Sequence, residues 1–197
     1  MDVASLLDEL QALGRSGLAY AKDPFDRERY ERLIELSAAW YGKYLNLPAP
    51  EIRRRWAREF GQITPKVGAE AAIFDEEGRV LLVRRADDGL WGLPAGWLEP
   101  NETPGEGARR ETREETGLEV RIVQLVDVFT RKARDDQAPQ ATVAIVYLCE
   151  PLGGTLRISH ESTDLGYFRL EEVPAWHGWH AEHAAAAHRA WRARQGK

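Results

Sequence analysis

The chain has 197 residues, 30% of them charged and 43% in the hydrophobic set, with a formal net charge of −5. That length holds one medium domain plus a small extra one and buries a core without staples. The acidic balance argues against broad, non-specific nucleic-acid binding and leaves room only for a local basic cleft. The one cysteine, Cys149 in the apolar run 143–149, excludes a disulfide framework within the chain and fits a reduced cytoplasm. Met1 to Leu10 carries Asp2, Asp8 and Glu9 and no basic residue, unlike the basic-then-apolar layout of a signal peptide. The apolar runs fall far short of the ~18 residues of a membrane span, so no membrane association is expected.

The first residues, 1–62, read as a helical domain. Leu6, Leu10 and Leu13 fall at i, i+4 and i+7. Asp23-Pro24 breaks the chain, and Asp26 suits the cap of a second helix bearing Tyr30, Leu33, Ile34, Ser37, Tyr41 and Tyr44 on one face. Pro48 and Pro50 stop it, and Ile52, Trp56 and Phe60 line a third, short helix. Three short helices cover few aromatics, so the stripe of Tyr30, Tyr41, Tyr44, Trp56 and Phe60 calls for a partner surface, and a homodimer is expected.

A second domain, 66–197, begins where the period changes. Val67 to Phe74 and Val80 to Val83 predict strands joined by a hairpin turn at Asp75-Glu76-Glu77-Gly78. Residues 119–131 and 141–149 predict further strands, with one helix at about 104–116 and an Ala-rich helix over about 178–195. Mixed strands with sparse helices predict an α/β sandwich of helices and mixed sheet.

The helix at 104–116 has clear ends. Thr103 suits its N-cap, Pro104 its first position, Glu106 a capping box, and Gly117 the position beyond its end. Glu111, Glu114 and Glu115 lie within about 100° of arc on it. Like charges so spaced repel, and a solvated acidic face is the ordinary reading of such a cluster. Two features point elsewhere. The helix has no large apolar residue, which leaves Ala108 and Thr112 as its contacts, and the cluster follows a glycine-containing loop, Leu93-Pro94-Ala95-Gly96. Clustered carboxylates offer hard oxygen ligands suited to Mg²⁺ or Mn²⁺.

Gly96, five residues, Glu102, seven residues, then Arg110-Glu111-x-x-Glu114-Glu115-x-Gly117-Leu118 resembles the signature of the Nudix hydrolases. Thr112 stands where that family usually has an aliphatic residue, and Ala95 where a second glycine is common. The resemblance implies a Nudix α/β/α sandwich with mixed sheet, preceded here by a small all-α N-terminal domain. It implies Glu111 and Glu115 as principal metal ligands, and Glu114 as a further ligand or as the group that orients or deprotonates the attacking water. It also implies the Gly96 carbonyl in the metal shell, and Glu102 and Arg110 holding the ligands in place. Gly17-Leu18-Ala19-Tyr20-Ala21-Lys22-Asp23-Pro24-Phe25-Asp26-Arg27-Glu28-Arg29-Tyr30 is similar to the helical domain preceding hydrolases of X-linked nucleoside diphosphates, a subgroup that includes CDP-choline pyrophosphatase-like enzymes.

The leading expectation is metal-dependent hydrolysis of a nucleoside diphosphate linked to another group X (ADP-ribose, CDP-choline or similar), giving a nucleoside monophosphate and phospho-X. The alternatives are a nucleoside triphosphate or RNA-end pyrophosphohydrolase, or a non-catalytic nucleotide-sensing module. Outside the signature, Arg84 and Arg85 are candidates to grip a phosphate, Trp91 and Trp97 to stack on a base, and Glu161 to add a carboxylate from a late loop. Each also has a plain reading as surface charge, loop residue or edge-of-core packing. His177, His180 and His183 drift off one helical face at three-residue spacing, so a histidine-bearing surface helix is expected rather than zinc.

Overall fold

The computed structural model describes residues 3–57, 64–99, 101–132 and 141–196. The chain divides into two compact units, Met1–Lys66 with Arg131–Thr142, and Val67–Thr130 with Val143–Lys197. Nothing in the sequence pattern signals that 131–142 groups with the helical unit.

The helical unit holds α1 (Val3–Tyr20), α2 (Pro24–Leu45) and α3 (Ala49–Trp56). Asp23, not Asp26, caps α2: its carboxylate accepts the N–H groups of Phe25 at 2.8 Å and Asp26 at 3.2 Å, and Pro24 fills the first position. Asn46, in the left-handed region at φ 53, ends α2, so the chain has turned before Pro48 is reached. Leu7, Ala38, Tyr41 and Ile52 form the core, with Tyr44, Leu47 and Trp56 packed on it, and Tyr41 meets Trp56 edge to face at 5.5 Å. The expected aromatic stripe is therefore largely spent inside the unit; Phe60 lies outside the described residues. The outward apolar set is a different one. α1 buries Ala4, Leu7, Gln11 and Gly14, one position away from the expected stripe, which leaves Val3, Leu6 and Leu13 exposed, together with Leu36 and Trp40 of α2.

The second unit carries two sheets, one with strand order β4-β1-β6-β5 and one with order β3-β2-β7. The strands are β1 (Lys66–Ile73), β2 (Val80–Arg85), β3 (Trp91–Gly92), β4 (Ala95–Trp97), β5 (Leu118–Arg131), β6 (Thr142–Gly154) and β7 (Ser162–Phe168). The turn expected at 75–78 is present: Asp75 N–H donates to the Arg79 carbonyl at 3.0 Å, and Gly78 takes φ 78. Its two strands do not form one hairpin ladder, however. They touch at a Phe74–Val80 bridge and then part into different sheets. From Gly68 to Phe74 every residue is buried, the mark of a strand covered on both faces.

Alternation along β1 and β2 feeds two cores. Ala72, Phe74, Val80 and Leu82 pack with Val146, Leu148 and with Ala184 and Ala187 of α5 (His180–Gln195). Ala71, Ile73 and Leu81 pack with Leu118, Val120 and Cys149, whose thiol burial pushes up to about 12. Helix α4 (Pro104–Thr116) starts at a complete capping box: the Thr103 hydroxyl accepts the Glu106 N–H at 3.3 Å, and the Glu106 carboxylate accepts the Thr103 N–H at 2.8 Å. It ends on Gly117 at φ 77.

A Cβ at Gly117 would press on the Thr155 carbonyl and the Arg157 side chain in a backbone conformation that L residues rarely adopt. Gly117→Ala is expected to cost about 1–3 kcal/mol of stability. Urea unfolding measures this, and an unchanged midpoint would count against the close approach.

Candidate active site

The helix α4 turns Gly107, Ala108, Thr112, Glu115 and Thr116 inward. The two threonines reach that face because their hydroxyls bond within the helix, Thr112 Oγ1 to the Ala108 carbonyl at 2.7 Å and Thr116 Oγ1 to the Thr112 carbonyl at 2.6 Å. With no large apolar residue on this face, the helix lies close to the loop before it. Gly107 has no room for a Cβ beside Leu98 and Glu102, and Gly96 has none because the Glu111 carboxylate lies against it. Strand β4 hydrogen-bonds to β1 in the register Gly68–Trp97, Ala69–Gly96 and Glu70–Ala95, and this fixes the loop from the sheet side.

Arg110 organises the acids. Its Nε and Nη2 grip Glu102 at 3.0 and 2.7 Å, its Nη1 donates to Glu111 at 2.7 Å and Glu114 at 3.2 Å, and its Nη2 also reaches the Trp97 carbonyl at 3.1 Å. A guanidinium has five N–H donors, and all five are used. Glu102 is held below the ordinary carboxylate range by Arg110. Glu115, 7% exposed, accepts the Ala95 N–H at 2.9 Å. Burial nevertheless pushes its carboxyl up to about 7, with a further rise from the Glu111 and Glu161 charges. Burial likewise raises Glu111, against the pull of Arg110.

The residues singled out by sequence separate into two groups. Glu161 stands near enough for its charge to raise both Glu111 and Glu115, and Arg85, paired with Asp87 at 2.6 Å, is the cation felt by Glu115. Trp97 is 55% exposed beside Gly96. Trp91 is not available for a base: it is 7% exposed and packs on Phe168 at 4.4 Å in the core. Arg84 lies on the surface, its Nε on the Gly89 carbonyl at 3.0 Å. The histidine-bearing helix is also not a surface feature throughout: His183 is buried and His180 nearly so, both facing a buried Glu70. The signal for that cluster was a lone glutamate inside the small, apolar strand Gly68-Ala69-Glu70-Ala71-Ala72-Ile73.

The donor set fits a hard divalent cation: carboxylate oxygens of Glu111, Glu115, Glu114 and Glu161 and the Gly96 carbonyl, with no thiol or imidazole among them. Among the described residues no three acidic or imidazole side chains are already gathered to metal-ligating distance. Arg110 holds Glu111 and Glu114 instead, and the two carboxyls raised chiefly by burial, and further by their acidic neighbours, mark a site where added positive charge is favoured.

A NUDIX domain model matches residues 64–191. The chain belongs to the Nudix family. It is a Nudix pyrophosphohydrolase, with the family's fold behind a helical N-terminal region, and residues 1–56 match the UDP-X-like, N-terminal oligomerisation domain. Bacillus subtilis YjhB is 32% identical over 166 residues, 84% of this chain and 79% of that protein. The crystal structure of a UDP-X diphosphatase is 29% identical, covers 97% of this chain and 93% of its own, and superposes with a TM-score of 0.60. That of an ADP-ribose pyrophosphatase from Streptococcus suis is 32% identical over 66% of this chain and 93% of its own, with a TM-score of 0.57.

The raised Glu115 carboxyl has a signed consequence for stability in EDTA. Its folded value, about 7, lies above its ordinary 4.5, so between these the folded chain keeps a proton that the unfolded chain has released. The ionised form is a cost, absent below about 4.5 and complete above about 7. Glu115→Gln is therefore expected to raise stability at pH 8 by on the order of 1–3 kcal/mol, with the gain vanishing towards pH 4.5. Denaturant melts at the two pH values, which should converge at the acid end, decide it.

Proposed function

We propose that this enzyme hydrolyses the pyrophosphate bond of a nucleoside diphosphate joined to another group X, such as ADP-ribose or CDP-choline, using Mg²⁺ or Mn²⁺. The observation that carries the reading is the placement of two buried carboxylates against one loop, Glu111 at Gly96 and Glu115 on the Ala95 N–H, while Arg110 spends its donors on Glu102, Glu111, Glu114 and the Trp97 carbonyl. Residues 66–197 carry the chemistry. Glu111, Glu115 and the Gly96 carbonyl hold the cation, with Glu114 or Glu161 completing its shell or taking the proton from the attacking water. The bound cation would screen the pyrophosphate charge and lower the pKa of its water. Glu102 and Arg110 hold the carboxylates in place. Arg85, beside Glu115, offers positive charge to a phosphate oxygen, and Trp97 offers an exposed ring to a base.

Support for the X-linked class comes from the 1–56 match to the UDP-X-like domain and from full-length similarity to a UDP-X diphosphatase. Residues 1–62 serve as the pairing unit of a homodimer through the exposed Val3, Leu6 and Leu13 of α1 and Leu36 and Trp40 of α2. The buried, unpaired Cys149 suits a reducing compartment, and we assign the enzyme to the cytoplasm.

ADP-ribose, CDP-choline and nucleoside triphosphates, offered in competition with Mg²⁺ and with Mn²⁺ and scored by product, test the specificity. An X-linked diphosphate is expected to lead in kcat/KM, and EDTA to abolish turnover. A triphosphate ahead by about tenfold, or about 1.4 kcal/mol of transition-state preference, overturns the substrate class. Full turnover in EDTA overturns the mechanism.

The pairing surface is tested separately by light scattering. The full chain is expected to be a dimer at tens of micromolar, where an interface of about 8 kcal/mol is filled. Leu13→Asp should yield a folded monomer; a monomeric parent chain refutes the interface.

A further inference from the structure

The loop that presents Ala95 and Gly96 is held at consecutive residues by three different elements. Ala95 N–H goes to Glu115 of α4 at 2.9 Å, and the Pro94 carbonyl accepts the Ala71 N–H of β1 at 3.0 Å. Leu93 is 2% exposed and lies just past β3, which ends at Gly92. A buried N–H at such a place needs an acceptor. The acceptor is a side chain distant in sequence: Leu93 N–H donates to His180 Nδ1 at 3.0 Å.

The imidazole reaches that position because Gly92 leaves space for it; a Cβ there would lie 3.0 Å from Nδ1. The segment leading into α5 follows the same strand, with Trp91 N–H on the Ala175 carbonyl at 3.0 Å and His177 N–H on the Trp91 carbonyl at 2.8 Å. Beneath the ring lies Glu70. Its Oε2 is 3.7 Å from His180 Nδ1, and both its oxygens are 3.0 Å from His183 Nδ1. A carboxylate only accepts, so Nδ1 of His183 carries a proton. Nδ1 of His180 accepts an N–H, so its lone pair faces Leu93 and a proton sits on Nε2. Burial agrees with a neutral ring, lowering His180 to about 4. Glu70 belongs to β1 and is in register with Ala95, so the carboxylate and the two imidazoles tie α5 to both sides of the loop.

We infer that His180 is a positioning residue for the metal-binding loop, its Nδ1 fixing Leu93 and, with Glu70 beneath it, setting where the Ala95 N–H and the Gly96 carbonyl stand. This rests on the assignment of Gly96 and Glu115 to the metal. His180 does not touch substrate or metal; it acts through the backbone, as partners behind a ligand shell do.

Three substitutions in the full chain separate this role from mere packing. In His180→Asn the amide oxygen takes the place of Nδ1. In His180→Gln the amide lies where Nε2 stood, and His180→Phe keeps the ring and removes the acceptor. Mn²⁺ affinity is read by titration calorimetry on the protein alone, kcat and KM with ADP-ribose and Mg²⁺, and integrity by a melt in EDTA. His180→Asn is expected to stay within about threefold of the parent, whereas His180→Gln and His180→Phe weaken Mn²⁺ binding and kcat by about 10- to 100-fold, with KM little changed. Should His180→Phe fail to fold, the contrast between Asn and Gln decides. Parent-like Mn²⁺ affinity in His180→Gln, or an Asn variant as impaired as Gln, overturns the inference. If the parent chain binds Mn²⁺ no better than Glu115→Gln does, the metal assignment itself falls, and this proposal with it.

Discussion

Everything at the site depends on one guanidinium meeting more negative charge than it can balance. Three carboxylates within five residues of a helix repel one another, and the helix fixes the spacing of their Cα atoms. Arg110 resolves this geometrically: its planar fork takes Glu102 from two sides and passes its remaining donors to Glu111, Glu114 and the Trp97 carbonyl. Charge is resolved only in part. Glu111 and Glu115 stay above their ordinary range because burial and their acidic neighbours outweigh what a single cation returns. A site so arranged favours any added positive charge, and its oxygens select a hard ion.

That arrangement requires α4 to lie against the loop, and the helix achieves this by carrying only small residues beside Glu115 on its inner face. Glycine, alanine and two back-bonded threonines give a close approach that leucines would prevent. Little apolar area is buried there, so α4 is held to the loop by polar bonds, Glu115 to the Ala95 N–H and Arg110 to the Trp97 carbonyl, and its own ends are well formed. The capping box at Thr103 and the left-handed Gly117 are both formed.

What could be read from sequence was whatever is written locally. The span of α4, its caps and the angular spread of Glu111, Glu114 and Glu115 follow from neighbours three and four apart, and β1, β2, β5 and β6 follow from their apolar runs, whereas no strand is predicted at β3, β4 or β7. What could not be read depends on partners far along the chain. Trp91 and Trp97 look equivalent beside the loop, but β3 turns one onto Phe168 and β4 leaves the other exposed. The stripe Leu6, Leu10 and Leu13 has sound helical spacing; α1 carries a second stripe one step away, and only the position of α2 decides which is buried. His180 and His183 read as surface residues because Glu70, more than a hundred residues earlier, gives no local sign of facing them. The strands either side of Asp75–Gly78 have hairpin pattern, but burial on both faces of β1 draws them into separate sheets.

Cys149 gives the molecule a built-in probe. Its sulfur is packed among Ala71, Ile73 and Leu81 with the thiol held to about 12, so the reactive thiolate is nearly absent at neutral pH and alkylating reagents meet no target on the folded protein. Labelling then reports those excursions that expose the core around Cys149, and its rate against reagent concentration gives the frequency of such openings without any engineered tag. A cysteine introduced on the surface would, for the same reason, take a fluorophore or spin label at one place.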